Sequence, residues 1–583
     1  MSVDLRLCGR LMAILAAAAV TSCTRAPDPA TLKLQPAFPV VFVLVDAMRA
    51  DRALAVRNGV ELAPNIAMLA RDGVIFRNAF SSAPKTIPSV PQILTSRYFP
   101  DLQHETTLLT VLRQAGYEST GAFIHNPYVT KWTDRLVPTF DHLGGGDLDA
   151  AALTNNAIDW FGARRSDRIA MYMHYLDVHV PLNPPADIAA KLVDRSYHGP
   201  IGLEFHDIAG AWNGRYDDAD RRRIADLYDA AVAATDVELG KLLDGLRSAG
   251  LYDRALIVLT ADHGEELWDH GGFFHGHTLY DELLHVPLIV KFPDGWAAGA
   301  SVDALARTVD ILPTIADLLH RASPEVETPP SDGASLVPLV AGDAPARTLF
   351  ATIGRNDDRS PPLAAVRTAT SKLIYDMRSG SEELYDVVHD PGERENIVDK
   401  RAGSRELADL RSLVNAGLET LRNTGIHVRL SNGTAAPIRY RIAIGLKPLA
   451  PFLDLARFDM EKGDDLAQNP RADGMSASGL LAPGDSDEVR FAVLSTDAAV
   501  LANVVTEPNA TLEVCIAGES CTPSVDGSAT LPLARLAMTS SPPVRGGSAL
   551  QMHAWMLPSE SAPITNVLSP ADRERLRALG YAE

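Results

Sequence analysis

Three observations predict an α/β fold built on a mixed, mostly parallel sheet covered by helices. Apolar runs of strand length end in carboxylates or imidazoles, helical patterns lie between them, and a β-rich texture follows near the end of the chain. The first run, Val40 to Val45 in FPVVFVLVDAMRAD, contains no polar residue, as expected of a strand buried on both faces. Asp46 then stands at the carboxyl end of that strand, the edge of an open α/β sheet where ligands bind. The pattern recurs in IAMYMHYLDVHVPLNPP, which runs into His174, Asp177 and His179, and in ALIVLTADHGE, which runs into Asp262 and His263. Between these runs, NIAMLARDGV, TLLTVLRQAG and RRRIADLYDAAVAATDVELGKLLDGLRSAG repeat apolar residues at the helical spacing of three and four. Strands alternating with helices imply parallel pairing with both faces covered. Beyond about residue 426, short alternating runs such as IRYRIAIGL, VRFAVLS and ATLEVCIAG, separated by turn residues, predict an additional β-rich domain.

Composition narrows the partners. The 583 residues exceed one ordinary domain, and 46% hydrophobic with 22% charged residues is a globular balance. A formal charge of −20, from 54 basic and 74 acidic residues, excludes a broad basic face for nucleic acid or anionic lipid. An anionic substrate must therefore be held locally, by a metal or a helix end. Residues 1–22 read as a secretory signal, with Arg6 and Arg10, the apolar run Leu11 to Val20 and small residues up to Cys23. The ending Val20-Thr21-Ser22-Cys23 resembles the bacterial lipobox, which implies cleavage before Cys23 and a lipid on its sulfur. With Thr24 next, it implies the outer membrane of a Gram-negative cell, facing the periplasm. Residues 23–37 read as a tether. Cys8 leaves with the signal, so Cys515 and Cys521 remain in an oxidising compartment and are expected to form a disulfide.

The stretch SSAPKTIPSVPQILTSRYF places Thr86 two residues before Pro88, which reads as opening a helix. A hydroxyl there is either an ordinary cap or a nucleophile held where helix N–H groups favour an anion. Asp262 and His263 are adjacent metal-ligand types at a strand end. LWDHGGFFHGHTLYDELLHVPLIVKFP adds His270, His275, His277 and His285 within sixteen residues. His285, ahead of an apolar run, reads as structural; His275 and His277 flank Gly276, which lets the backbone come close to a ligand.

Taken in order, these segments resemble the sulfatases and related hydrolases of the alkaline phosphatase superfamily over about residues 38–400. VVFVLVDAMRAD is similar to the family's opening strand with its metal-binding aspartate, and APNIAMLARDGVIFRNAF to the segment leading to the nucleophile. TADHGEE with FHGHTLYDELLHVPLIV resembles the second metal motif, HYLDVHVPLNPP the substrate-side region and ELYDVVHDPGERENIV the closing subdomain. The resemblance implies a catalytic α/β domain over 38–345, a C-terminal subdomain over 346–425 and, outside it, a β-rich accessory domain over 426–560. The last segment, 561–583, reads as a helical tail similar to those of the group. Thr86-Ile87-Pro88-Ser89-Val90 and Thr95-Ser96-Arg97 match the spacing of the sulfatase nucleophile segment, with Thr86 in the nucleophile's place. Two departures stand out. Thr86 cannot mature into formylglycine, and Val90 replaces the family's arginine. Nor is the family's Lys-Trp-His run recognisable in GYESTGAFIHNPYVTKW, where His125 and Asn126 lie near its position.

What the resemblance implies is a metal-dependent ester hydrolase. One divalent cation (Ca, Mg, Mn or Zn) is expected on Asp46, Asp262, His263 and the Thr86 oxygen, with Thr86 forming a covalent intermediate. His275 or His277 is expected to protonate the leaving oxygen or to bind a second ion. His174, His179, Lys85 and Asn126 are assigned to an anionic ester carried on a glycan or lipid, and Asp177 either orients a histidine or is structural. A threonine sulfate cannot collapse as a hydrated aldehyde does, whereas a phosphothreonine is open to in-line attack, so phosphoryl transfer is favoured over sulfuryl transfer. The alternatives are a phosphoethanolamine-type transferase, a formylglycine-independent sulfatase and a non-catalytic lipid-anchored binding protein.

Overall fold

In the computed structural model, the Val40–Val45 run is an inner strand of an eight-stranded sheet. The strand order is Ala300–Val302, Val74–Phe76, Leu288–Lys291, Leu256–Ala261, Val40–Val45, Ile169–Tyr175, Ser119–Ile124 and Asp141–His142. Only Leu288–Lys291 runs against its neighbours, and every other pairing in the sheet is parallel. The structure describes residues 27–557 apart from 58, 99–105, 118, 125–140, 143–148, 165, 167, 344, 354–361, 378, 423–424, 448–451, 454–464, 469–473, 494–498, 518–519, 525, 533–534 and 537–547. The expected signal and Cys23, the first residues of the tether, Asn126 and the 561–583 tail lie outside the described residues.

The sequence patterns account for these elements. The three inner strands are buried along their whole length, as their predominantly apolar residues require. One core layer forms on the face of Val41, Val43 and Val45 beneath the 31-residue helix Asp218–Ser248. That helix is started by a capping box between Asp217 and Asp220. The opposite layer, on Phe42 and Leu44, packs against helices Thr86–Thr95, Leu108–Gln114 and Ile311–Ala322.

A four-stranded antiparallel sheet over Leu349–Asp386 and helix Arg405–Arg422 share a smaller core. An ion cluster joins this unit to the larger body. Fully buried Lys372 reaches Asp281 and Glu393 at 2.8 Å each, and Arg367 reaches Asp281 at 3.1 Å. From Gly425 onward a six-stranded and a five-stranded sheet enclose their own apolar core, with Ile426, Val428 and Leu430 facing Tyr440, Ile442 and Ile444. Cys515 and Cys521 are disulfide-bonded at one edge of this β-rich region. Among the described residues no helix is long and apolar enough to cross a membrane.

Candidate active site

Strand register builds the floor of the site. Val45 pairs with both Tyr175 and Ala261, so Asp46 and Asp262 leave neighbouring strands at the same level. His174 pairs with Leu44 one step below. Side chains alternate along a strand, and Phe42, Leu44, Tyr172 and Val258 face one layer. Asp46, His174 and Asp262 continue that parity. Helix Thr86–Thr95 presses Val90, Ile93 and Leu94 into the same layer, which brings its first residue over the two carboxylates.

Thr86 is not a cap. It is the first helical residue, Lys85 holds the cap position, and no side-chain cap bond forms. The reading in which Pro88 opens the helix is thus corrected by two residues. Pro88 falls at the third helical position, whose N–H would have no intrahelical acceptor in any case, so proline is tolerated there. The Thr86 hydroxyl instead donates to Asp46 Oδ2 at 3.3 Å and stands 3.2 Å from His263 Nε2.

Behind the hydroxyl lies a buried set of unpaired ligand atoms. Asp262 Oδ1 accepts from the Ala47 and His263 amides at 3.2 and 2.9 Å, while its Oδ2 has no partner. Asp46 Oδ1 and His174 Nε2 are also without one. One ligand atom from each of these three residues lies within 4.8 Å of the others. His263 Nε2 is 3.5 Å from Asp46 Oδ1 and 3.4 Å from Asp262 Oδ2. Its Nδ1 donates to the Gly264 carbonyl at 2.8 Å, which leaves Nε2 as the lone-pair nitrogen. Leaving such atoms buried and unmatched costs about 1–3 kcal/mol each, more for a charged group, so two carboxylate oxygens and two imidazole nitrogens facing one point fit a divalent cation.

The charges divide accordingly. Burial works to raise the Asp46 carboxyl, but His179, His174 and His263 outweigh it and hold it well below the usual carboxylate range. Burial, and then the Asp46 charge, raise Asp262. Two acids in one site pull apart in this way.

Around the rim, Gly276 turns the chain with φ +79° and separates the two candidate histidines. The His275 ring lies tilted with its centre 4.3 Å from that of His263 and edge-on to His179 at 4.8 Å, and its Nδ1 meets Glu265 Oε1 at 3.0 Å. Burial, and then His263, push its pKa well below the ordinary histidine range. His277 is instead bound through Nε2 to Glu266 at 2.6 Å and braces the loop, so of the two it is His275 that joins the site. Lys85 is half-buried beside Thr86 and contributes to the positive field on His275.

His174, expected at the substrate, is wholly buried beside the acids, because its strand delivers it below the sheet edge. Asp177 accepts from the Ala150 amide at 3.2 Å, at the start of helix Ala150–Gly162, which favours its structural role. His285 is structural as expected, bonded to the Arg77 carbonyl at 2.7 Å. His270 lies against Tyr280 and bonds Glu282 at 2.6 Å.

Sequence reasoning missed several neighbours. Arg49 spends its guanidinium on Asp51, Asp269 and the Glu265 carbonyl, fixing the loop after Asp262. Glu265 is fully buried, and burial followed by the Asp46 charge raises its pKa well above the usual range. Phe274 stacks on His275 at 3.8 Å with φ +78°, a strained conformation for a bulky residue and one that clusters at functional sites. The signal for Arg49 and Glu265 was present in DAMRAD and TADHGEE, whose charges sit next to buried strands.

Comparison with known proteins places these features. A family model described as Sulfatase matches residues 39–321, and one described as N-sulphoglucosamine sulphohydrolase, C-terminal, matches 269–423. The chain is 34% identical over 197 residues to an N-acetylglucosamine-6-O-sulfatase of Bacteroides thetaiotaomicron, covering 32% of this chain and 34% of that protein. It is 31% identical over 189 residues to a choline-sulfatase of Rhizobium meliloti, covering 32% and 36%. The chain thus spans about a third of the length of these two relatives. An arylsulfatase of Clostridium perfringens is 21% identical over 467 residues, 65% of this chain and 94% of that one. Among solved structures, an enzyme in complex with its substrate D-glucosamine-2-N,6-O-disulfate superimposes with a TM-score of 0.53 at 22% identity, over 66% of this chain and 98% of the other. A phosphonate monoester hydrolase of Agrobacterium radiobacter gives 0.51 at 19% identity, over 66% and 95%. These last two show a shared fold.

Proposed function

Because this chain is a member of the sulfatase family, we propose that it hydrolyses phosphoric esters, and sulfuric esters as the second reading, with Thr86 as the nucleophile. The observation that carries this is the Thr86 hydroxyl, directed at Asp46 and His263 and not at the helix backbone. Asp46, Asp262, His174 and His263 would hold a divalent cation with the Thr86 oxygen. When bound, it supplies positive charge that favours ionisation of the hydroxyl and the charge developing on the ester oxygens.

The chain's own groups do the rest. Asp46 Oδ2 accepts the hydroxyl proton and so aims the Thr86 lone pairs away from the floor. His179, His275 and Lys85 gather on the open side and favour a negatively charged ester. His275, beside His263, would be the group to meet the leaving oxygen. A phosphothreonine is resolved by water attacking in line, whereas a threonine sulfate lacks the collapse open to a hydrated aldehyde. The second reading, sulfuric ester hydrolysis without formylglycine, is favoured by the names of the relatives at 34% and 31% identity. A glycan-borne ester is the substrate class consistent with the sugar sulfatase among them. A lipid on Cys23 would hold the enzyme at the periplasmic face of the outer membrane.

The test is incubation of purified protein with aryl phosphodiester, aryl phosphomonoester and aryl sulfate, with and without an acceptor alcohol. Turnover of a phosphoester that depends on Thr86 supports the first reading, turnover of the sulfate alone supports the second, and transfer to the alcohol indicates a transferase. No turnover of any ester overturns both.

A further inference from the structure

Far from the catalytic body, the β-rich region brings together Cys515, Cys521 and His553, with one ligand atom from each within 4.8 Å of the others. Three adjacent strands of the six-stranded sheet deliver them. Cys515 lies on Leu512–Ile516 and pairs in parallel register with His553 on Leu550–Leu557. Cys521 stands one residue before Thr522–Pro523, which pairs antiparallel with the other side of Leu512–Ile516, Thr522 against Val514. Side-chain alternation sets the face. Leu512, Val514, Met552 and Ala554 belong to the apolar core of the sandwich, so Cys515 and His553 occupy the opposite face. Both are buried there, while Cys521 is half-buried and gives the cluster an opening to solvent. Backbone bonds hold the group together independently of the S–S bond. The Ala517 amide donates to the Ala554 carbonyl at 2.9 Å, and the Ser524 amide to the Leu512 carbonyl at 2.8 Å. The chain is thus fixed just after each cysteine, and opening the disulfide leaves both sulfurs beside His553. Two thiolates and an imidazole are a donor set that suits zinc and other thiophilic divalent ions, unlike the carboxylate-rich set at Asp46 and Asp262.

We propose that Cys515, Cys521 and His553 form a further metal site, closed while the cysteines are disulfide-bonded and taking one thiophilic divalent cation of the zinc class once a dithiol has reduced them. The proposal is independent of the Thr86 reading. In the reducing step, exchange with the dithiol breaks the Cys515–Cys521 bond. Two electrons and two protons pass to the cysteine sulfurs, and the dithiol closes into its own disulfide. On binding, the two thiols release their protons to solvent, each sulfur donates an electron pair to the ion, and His553 donates one from a ring nitrogen. Water completes the tetrahedral set. The ion then replaces the S–S bond as the tie between the edge strand Thr522–Pro523 and its neighbours.

The test uses the full chain carrying Cys8→Ser and Cys23→Ser, in which Cys515 and Cys521 are the cysteines left. Cadmium is the probe, because a cadmium–thiolate bond gives an ultraviolet charge-transfer absorption that carboxylate and imidazole ligands do not. Protein reduced with dithiothreitol, then freed of it by gel filtration under nitrogen, is expected to gain this absorption up to one ion per chain. Unreduced protein is expected to show none. Losing an outer partner of a metal ligand costs about 10- to 100-fold in affinity, and losing a ligand costs at least as much. His553→Ala and Cys521→Ser should therefore each weaken cadmium binding by at least about tenfold. No absorption in the reduced parent protein, or undiminished affinity in either variant, overturns the proposal. Circular dichroism of the reduced, metal-free protein comes first: loss of its β signal also overturns the proposal, which has the strands and not the S–S bond hold the ligands. Should His553→Ala fail to fold, His553→Gln, a polar side chain of similar reach, takes its place beside Cys521→Ser.

Discussion

Thr86 Oγ1 and His263 Nε2 stand 3.2 Å apart although they are separated by 177 positions in the chain. The contact exists because a helix start and a strand end are packed on the same side of one sheet. It makes Thr86 the residue on which the mechanism is decided. Thr86→Ala should lower turnover by at least about 10³-fold, as loss of a nucleophile does. A cap lost at this position would instead cost about 1 kcal/mol of stability and leave the rate unchanged. Thr86→Ser should retain part of the activity. With a slowly released phosphoester, peptide mass spectrometry should find the adduct on Thr86, between Ala83 and Arg97.

Asp262→Asn and Asp46→Asn should abolish metal uptake and turnover without unfolding the protein. Burial and the Asp46 charge oppose the Asp262 carboxylate, so Asp262→Asn should not lower the melting temperature of the metal-free protein, whereas Asp46→Asn, which removes a charge that three histidines favour, should lower it while the protein stays folded. Wild type should gain stability when a divalent cation is added, and the variants should lose that gain. Elemental analysis together with thermal scans, with and without the cation, checks both statements.

Acid sensitivity should be traceable to Asp310. It is fully buried, with Arg307 and Arg347 at 2.7 and 2.8 Å. Burial raises its pKa, but these two guanidiniums outweigh burial and hold it below the ordinary range. A lowered carboxylate pKa contributes stability above the unfolded value of about 3.9, and that contribution is lost as the pH falls through the folded value. Asp310→Asn should therefore destabilise the protein by about 3–5 kcal/mol at neutral pH. The gap between variant and wild type should close below about pH 4. Denaturant titrations at several pH values give the comparison.

Cys23→Ser should move the protein from the membrane to the soluble periplasmic fraction, since the acyl chains are the proposed anchor. Cell fractionation reads this directly, and a variant that stays membrane-bound would point to another anchor.

Much of this architecture was legible in the sequence because it rests on local patterns. The Val40–Val45, Ile169–Tyr175 and Leu256–Ala261 strands are stretches that only a doubly covered sheet accommodates, and the residues ending them are the site. What could not be read was register. Whether His174 faces substrate or the acids depends on its pairing with Leu44, which no spacing encodes. The different fates of His275 and His277 depend likewise on a left-handed glycine between them and on two adjacent glutamates, each taking one ring.

The Lys372 cluster has a bearing on where this chain can be cut. Asp281 lies only four residues beyond His277, yet its cations, Lys372 and Arg367, come from the small antiparallel sheet, and its amide donates to Glu393. An expression truncation ending near residue 345 would strip a buried carboxylate of both counter-charges next to the histidine loop. The small sheet is in that sense a clamp on the active-site loop. The β-rich sandwich encloses its own core, so a shortened enzyme should end at about residue 424, between helix Arg405–Arg422 and strand Gly425–Asn432.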